Sequence, residues 1–320
     1  MAYEPAPFTG GTPLQPWMTL AIKNRHPRDN LIHFDEPTHV YTVNGSSKHI
    51  VSVSGLHHHL FPHFDADQVI KKMMASPKWP QSKWYYLKTA AAIKAKWNAD
   101  GKEASEAGTA MHLGIEMVMN GAEDEVDPAV KTTKEWEYFW NYWKKDSRTW
   151  EPWRTEWEVW DEELKISGSI DMVYRNKEDG TFAIYDWKRA KEMKMENDFQ
   201  SGYGPVSHLP DTNYWHYTLQ LNLYRWMLEK HYGVKISEMA LIVLHPNNKN
   251  YKLYKLNRLE EEVEEILEAR RRAVKEGKGK IYIFDDAAAS AKSGKVAVEA
   301  TDSDDEAPPL NFTGCMLAED

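Results

Sequence analysis

The stretch RTEWEVWDEELKISGSIDMVYRNKEDGTFAIYDWK, residues 154–188, decides how the rest of the chain is read. Residues 154–161 alternate Glu156, Glu158 and Trp160 against Thr155, Trp157 and Val159, the period-2 pattern of a strand with two distinct faces. Ser167-Gly168 is expected to turn the chain into a second strand over 169–175, with Asp171 and Val173 on one face. Asp179-Gly180 is a hairpin signal. Residues 181–188 then read as a third antiparallel strand, apolar through Phe182, Ala183, Ile184 and Tyr185 and ending in Asp186-Trp187-Lys188. Asp186 and Lys188 lie two apart, so both side chains leave the same face.

Burying Asp171 and Asp186 near each other is costly unless a cation compensates them. Hard divalent ions such as Mg²⁺ take oxygen ligands and need only one or two protein carboxylates. A lysine beside such an ion is a poor structural partner for it. It suits a position facing a water, or facing the charge that builds on a phosphate under attack. The plainer alternative is that Lys188 pairs with Asp186 at a strand end.

Gly168-Ser169-Ile170-Asp171, the hairpin and Asp186-Trp187-Lys188 together resemble the core of the PD-(D/E)XK nucleases, and within them the RecB-like exonuclease branch. Two further motifs of that branch stand in order: Gly108-Thr109-Ala110-Met111-His112 upstream, and Gln220-Leu221-Asn222-Leu223-Tyr224 downstream. The stretches FPHFDAD, SHLPDTNYWHYTLQLNLY and LHPNN resemble a narrower group of exonucleases assigned to large DNA viruses of algae and protists. The resemblance covers residues 35 to 257, and Ile170 stands where the family's name has proline. It implies a mixed α/β fold: a central mixed sheet flanked by helices in the order helix, three strands, helix, strand, with an N-terminal helical elaboration. It also implies that His112, Asp171, Asp186 and the backbone carbonyl of Trp187 hold Mg²⁺ or Mn²⁺. A second ion would use Asp171 and Glu156, with Glu158 as the same-face rival. Lys188 would orient water or stabilise charge, and Gln220 and Tyr224 would fix Lys188 or the DNA backbone.

Composition is compatible with these expectations. A chain of 320 residues can bury one substantial core without staples. The one cysteine, Cys315, allows no disulfide framework and no four-cysteine iron–sulfur cluster. No apolar run reaches membrane-spanning length and no secretory signal opens the chain, so an intracellular protein is expected, in the cytoplasm or nucleus of an infected cell if viral. The net charge of −9 argues mildly against a nucleic-acid partner, but residues 287–320 hold two lysines against seven acids and so contribute −5 of it. No phosphate-binding Gly-x-x-x-x-Gly-Lys loop occurs, so no nucleotide is expected and any unwinding would come from a separate helicase or a replication or recombination protein.

In chain order, residues 1–30 are Pro-rich and read as a flexible arm. Residues 31–153 form a hairpin and helical region carrying His112, 154–286 the nuclease core, and 287–320 a disordered acidic tail. Asn44-Gly45 is expected to turn a hairpin between 33–43 and 50–53. Ser54 and Asp65 are read as helix caps, the latter for a helix with Val69, Ile70, Met73 and Met74 as its apolar stripe. His57-His58-His59 reads as a polar helix start, since consecutive helical side chains diverge. Helices follow over 84–99 and 102–119, and on the second His112 and Glu116 share a face. Trp136, Phe139, Trp140 and Trp143 have core spacing, with base stacking as the minority reading. Beyond the core strands, 189–213 is a long loop whose basic start, Arg189, Lys191 and Lys194, is suited to phosphates. A helix over 214–232, strands over 239–245 and 251–256, and a helix over 259–275 ending near Arg270, Arg271 and Arg272 complete the chain.

The function expected is a metal-dependent deoxyribonuclease degrading DNA from free single-stranded ends. Trp84, Tyr85, Tyr86 and Trp97 would offer stacking surfaces in the helical cover. The alternatives are a structure-specific endonuclease or junction resolvase on the same core, and a non-catalytic module that binds DNA ends.

Overall fold

The computed structural model describes residues 15–277. The expected tail from Ala287, with Cys315, lies outside the described residues. In chain order the described elements are α1 (Thr19–Lys23), β1 (Ile32–Asp35), β2 (Val40–Val43), β3 (Val51–Ser52), α2 (Val53–His58), α3 (Ala66–Ala75) and α4 (Ala90–Met119). After these come α5 (Pro128–Lys131), α6 (Lys134–Asp146), β4 (Trp150–Asp161), β5 (Ile166–Asn176), β6 (Phe182–Lys188), α7 (Asn213–His231), β7 (Ile236–Val243), β8 (Lys252–Lys255) and α8 (Glu260–Lys275). The expected order of helix, three strands, helix, strand is present as α6, β4–β6, α7 and β7. The mixed α/β class is observed.

Six strands form the main sheet. β4 pairs antiparallel with β5 along its length, β6 pairs antiparallel with β5, β7 is parallel to β6, and β8 closes the far edge. β4 occupies one edge of β5, so β3 and β6 must share the other. β3 takes Ile166 and Ser167, while β6 takes Met172 to Arg175. Between them β5 has no partner on that edge, and Asp186 to Lys188 continue on β7 alone. The sheet is forked there.

Helices cover both faces. On one, Trp157, Val159, Ile170, Val173, Ile184 and Leu241 pack with α2, α7 and α8 through Leu56, Leu221, Leu223 and Ile266. On the other, Met172, Tyr174, Tyr185, Trp187 and Ile242 pack with α4 and α6 through Met111, Ile115, Phe139 and Tyr142. The aromatic stripe of α6 is therefore core, with Trp136 and Phe139 buried and Trp140 and Trp143 packed against the same cluster. A third, smaller cluster joins α3 to the start of α4 through Ile70, Tyr85, Ile93 and Trp97.

Several expectations are corrected. Ser167 and Gly168 lie inside β5, and the reversal falls at 162–165, where Lys165 has φ 52°. Gly168 is needed for close approach: a Cβ there would stand 2.7 Å from Tyr224 Cε1. The hairpin joins β1 to β2 directly, and β3 leaves to pair in parallel with β5, so Asn44-Gly45 does not connect it. Ser52, not Ser54, caps α2 by accepting from Gly55 N–H at 2.9 Å. Asp65 caps α3 as expected, but Val69 and Met74 of its stripe are exposed and only Ile70 is fully buried. One helix of 30 residues, α4, replaces the two expected, while 84–89 is an irregular turn. The ring of His57 is buried, so this stretch is no solvated helix start. Arg270 is buried inside the fold, donating to the carbonyls of Leu164 (2.7 Å) and His49 (2.7 Å).

The described part of the expected arm is packed. Arg154 Nη1 bonds Asp29 Oδ2 at 2.7 Å, Trp157 Nε1 donates to Asp29 Oδ1 at 2.9 Å, and the Arg28 guanidinium lies 3.7 Å over Trp160. Short Pro-started turns satisfy their own backbone while these side chains fix them to β4. Composition alone shows only the turns.

Candidate metal centre

The fork gathers the charged side chains. Along β5 the alternation slips at Asp171: Ile170 and Val173 both join the α7-side core, whereas Met172 and Tyr174 join the α6 side. Opposite it on β4, Glu156 takes a left-handed backbone, φ 41°, which L residues adopt at a cost of order 1–3 kcal/mol. Thr155 accordingly bonds Asn120 of α4 at 2.9 Å, while Trp157, two residues on, packs in the other core. An unbroken period of two would have put these side chains on one face. Asp171 and Val173, expected on one face, are separated by the same slip.

His112 enters from α4, its Nδ1 at 3.5 Å from Asp171 Oδ2. The same carboxylate oxygen accepts from Trp187 N–H at 3.0 Å, bridging the opening of the fork. Ligand atoms of His112, Glu156 and Asp171 all lie within 4.8 Å of one another. Ser169 Oγ donates to Glu156 Oε2 at 2.9 Å. Asp186 is not among these three. It is buried beside them, with Lys188 Nζ at 2.6 Å from its Oδ2. Lys188 in turn lies 4.4 Å over the ring of Tyr217 on α7.

The protonation equilibria follow from crowding. Burial pushes Asp186 up, and the negative charge of Asp171 adds to it, against the pull of Lys188. Burial likewise raises Asp171, opposed by Lys188 and the Trp187 N–H. Glu156 is raised by the protein packed around its carboxyl and then by the charges of Asp171 and Glu116. Its residue still reaches solvent, so the like charges are the firmer cause of the shift. Glu116 is raised to about 7, first by burial; Thr155 donates to it at 3.2 Å. The His112 imidazole is lowered to about 4 by burial and by Lys188, which keeps it neutral and able to ligate near neutral pH. Lys188 is held well above its ordinary value, the charges of Asp186 and Asp171 outweighing the opposing effect of its burial.

This donor set fits a hard or borderline divalent cation: one neutral imidazole with two acids, and a third acid alongside. Asp186 Oδ2 is buried with the Lys188 ammonium at 2.6 Å as its partner. A cation would relieve the mutual repulsion that, with burial, raises the acids' pKa values. A divalent metal site at His112, Glu156 and Asp171 is thus chemically available.

Other expected residues are placed as follows. Gln220 and Tyr224 share a face of α7, 3.4 Å apart, with Tyr224 buried against Gly168. Tyr217 covers Lys188, and no motif marked it. A one-turn spacing from Tyr214 to Tyr217, with Tyr224 further along the same helix, was the available signal. Glu158 feels the charges of His33 and Asp29 instead of the acidic cluster, so it separates from Glu156. Arg189, expected for phosphate, is committed to Glu135 of α6 at 2.8 Å. Tyr85 and Trp97 are buried and bonded to each other at 3.0 Å, whereas Trp84 and Tyr86 are exposed.

A family model of the PD-(D/E)XK nuclease superfamily matches residues 130–303, more than half of the chain, and the chain belongs to that superfamily. Membership in a nuclease family implies a nucleic-acid substrate. Among solved structures the chain is similar to one described as a "putative exonuclease" from Eubacterium rectale, with 12% identity over 79% of this chain and 91% of that one, at a TM-score of 0.36. It is also similar to SSO0001, with 14% identity over 71% of this chain and 77% of that one, at a TM-score of 0.28. No curated protein matches it. No helix among the described residues is long and apolar enough to cross a membrane.

Proposed function

We propose that this chain is a metal-dependent DNA exonuclease of the RecB-like branch, hydrolysing phosphodiester bonds from free single-stranded ends. The observation that carries the reading is the meeting of His112, Glu156 and Asp171 within 4.8 Å at the fork, with the Asp186–Lys188 pair beside them. His112, Glu156 and Asp171 would hold Mg²⁺ or Mn²⁺, with Asp186 and the Trp187 carbonyl contributing. Bound there, the ion would polarise the scissile phosphate and acidify water.

The chain's own residues have separable tasks. His112, neutral near pH 7, offers a lone pair without competing for a proton. Lys188 stays charged, fixed by Asp186 and the face of Tyr217, so its ammonium is preorganised to stabilise charge developing on the phosphate. A lysine that served only to neutralise Asp186 would not need to sit at the mouth of an acidic cluster. Tyr224 and Gln220 act as positioning residues: Tyr224 fills the space that Gly168 leaves and so sets the height of β5 against α7. The α4 layer brings His112 over the fork and limits the approach of a duplex more than that of a single strand.

The test uses end-labelled linear and covalently closed circular single-stranded DNA of equal length, with Mg²⁺, Mn²⁺ or a chelator. Loss of the linear form alone, abolished by chelation, is the expected result. Equal degradation of the circles would replace this reading with an endonuclease. Chelator-resistant binding without any hydrolysis would replace it with a module that binds ends.

A further inference from the structure

The lobe made by α3, the irregular turn at 84–89 and the first half of α4 has features that the reaction at the fork does not require. It carries its own small core, Ile70, Tyr85, Ile93 and Trp97, apart from the two cores that sandwich the sheet. From Gln68 to Lys96 the sequence holds seven lysines and no acid, in a chain whose net charge is −9. Lys94 and Lys96 pair with Asp67 and Asp100, both at 2.7 Å, on the flanks of this stretch. Large apolar side chains stand out of the same lobe: Phe64 is 52%, Trp84 50%, Tyr86 45% and Leu87 85% exposed. Leu87 is held out on a left-handed backbone, φ 69°. Burying these groups was not prevented by lack of a core, since Tyr85 and Trp97, in the same lobe, are fully packed. Exposed aromatics alternating with lysines match a polyanion whose monomers carry flat apolar faces.

We infer that this lobe is a second nucleic-acid-binding surface that holds the trailing part of a single strand whose end lies at the fork, with Trp84 and Tyr86 as stacking platforms and the lysines on its phosphates. The inference rests on the nuclease reading of the fork for its substrate, but not for the affinity of the lobe itself. Its reach follows from the length of α4. Thr89 and His112 are 23 residues apart along that helix, about 35 Å at 1.5 Å per residue. At about 3.4 Å per stacked nucleotide, roughly ten nucleotides separate the two places. A tetranucleotide at the fork falls short of Trp84 and Tyr86, and a 30-mer reaches them.

The experiment compares the full chain with Trp84→Ala/Tyr86→Ala and with Lys71→Gln/Lys72→Gln. All four side chains are solvent-exposed, and the thermal melt of each variant is checked first. Binding of a single-stranded DNA 30-mer is read by anisotropy in chelator, and hydrolysis of the 30-mer and of a tetranucleotide is read with Mg²⁺. The aromatic variant is expected to bind the 30-mer about tenfold or more weakly, with the effect confined to the long substrate. The lysine variant is expected to lower the salt slope of binding by about 0.7 for each phosphate that is no longer neutralised. Unchanged 30-mer affinity and slope overturn the proposal. So does an equal loss on the tetranucleotide, which would mean the lobe supports the fork and not the strand. Binding of anionic phospholipid vesicles by the full chain, abolished in both variants while 30-mer binding persists, overturns it in favour of a membrane surface. If nothing is hydrolysed but the aromatic variant still loses the 30-mer, the reading of the fork fails and the lobe stands.

Discussion

The fork and the lobe use charge in opposite ways. At the fork four acids, a histidine and a lysine are crowded between two cores, where each group's protonation is set by its neighbours. Removing Lys188 would leave Asp186 buried and uncompensated. At the lobe seven lysines stand on a thin layer over a four-residue core, mostly in water, where each is worth little by itself. Charge crowded between packed elements is suited to transition states, because the arrangement cannot relax. Dispersed exposed charge is suited to holding a flexible polymer, because it tolerates many registers. The difference is one of rigidity as much as of sign.

The largest expected effect breaks the fork while sparing the lobe. Asp186→Asn, Asp171→Asn or Lys188→Ala should lower single-turnover hydrolysis by about 10²–10³-fold or more, the range for removing one preorganised electrostatic group. Affinity for a 30-mer in chelator should change only severalfold. Near-normal turnover in the Lys188→Ala protein would remove the basis for its proposed role.

Next in size is Trp97→Ala, which empties the middle of the lobe's core. Aromatic-to-Ala changes in cores cost about 3–5 kcal/mol. Limited proteolysis should then cut between 64 and 96, while cleavage of a tetranucleotide continues, because the C-terminal half of α4 is anchored separately through Met111, Ile115 and Met119. Cooperative loss of the whole fold would show that the lobe is not an independent layer.

A smaller effect is expected for Gly168→Ala. The new methyl would stand 2.7 Å from Tyr224 Cε1, so β5 or α7 must shift, at about 1–3 kcal/mol for overpacking. A melting temperature equal to that of the unaltered protein would mean that the neighbouring ring yields freely.

The smallest concerns pH. His57 is buried neutral, its pKa held well below the ordinary value first by burial and then by the neighbouring His58 and His216. Between its folded and unfolded pKa values the unfolded chain binds the extra proton. Stability therefore falls as the pH drops below about 6.5, by at most about 1.4 kcal/mol per pH unit for one such group. Denaturant midpoints for His57→Leu should fall less steeply from about pH 6.5 to 5, and an unchanged slope would assign the acid sensitivity elsewhere.

Much of the fold is legible in the sequence because it is written in local periods and turn signals. Residues 182–188 alternate as expected, and that alternation alone puts Asp186 and Lys188 together, 2.6 Å apart in the structure. Asp179-Gly180 makes its reversal, Gly180 having φ 73°. The aromatic stripe on α6 and the Gln220–Tyr224 face of α7 are likewise read from 3.6-residue spacing. His112, Asp171 and Glu156 are nameable from the ordered motifs, which are linear.

Their meeting is not. It depends on β3 and β6 dividing one edge of β5, and on the backbone slipping at Glu156 and Asp171. Both arise from pairing between strands far apart in sequence, and a strict period of two predicts the opposite. The same limit explains Gly168, which looks like a turn glycine until Tyr224 is seen against it. It explains Tyr217, which becomes relevant only once α7 lies over Lys188. It also explains why Tyr85 is core and Tyr86 is surface. Composition could identify which side chains are able to stack or carry charge, because that is covalent chemistry. Which of them are withdrawn from water is a property of the packed whole, and only the tertiary structure decided it.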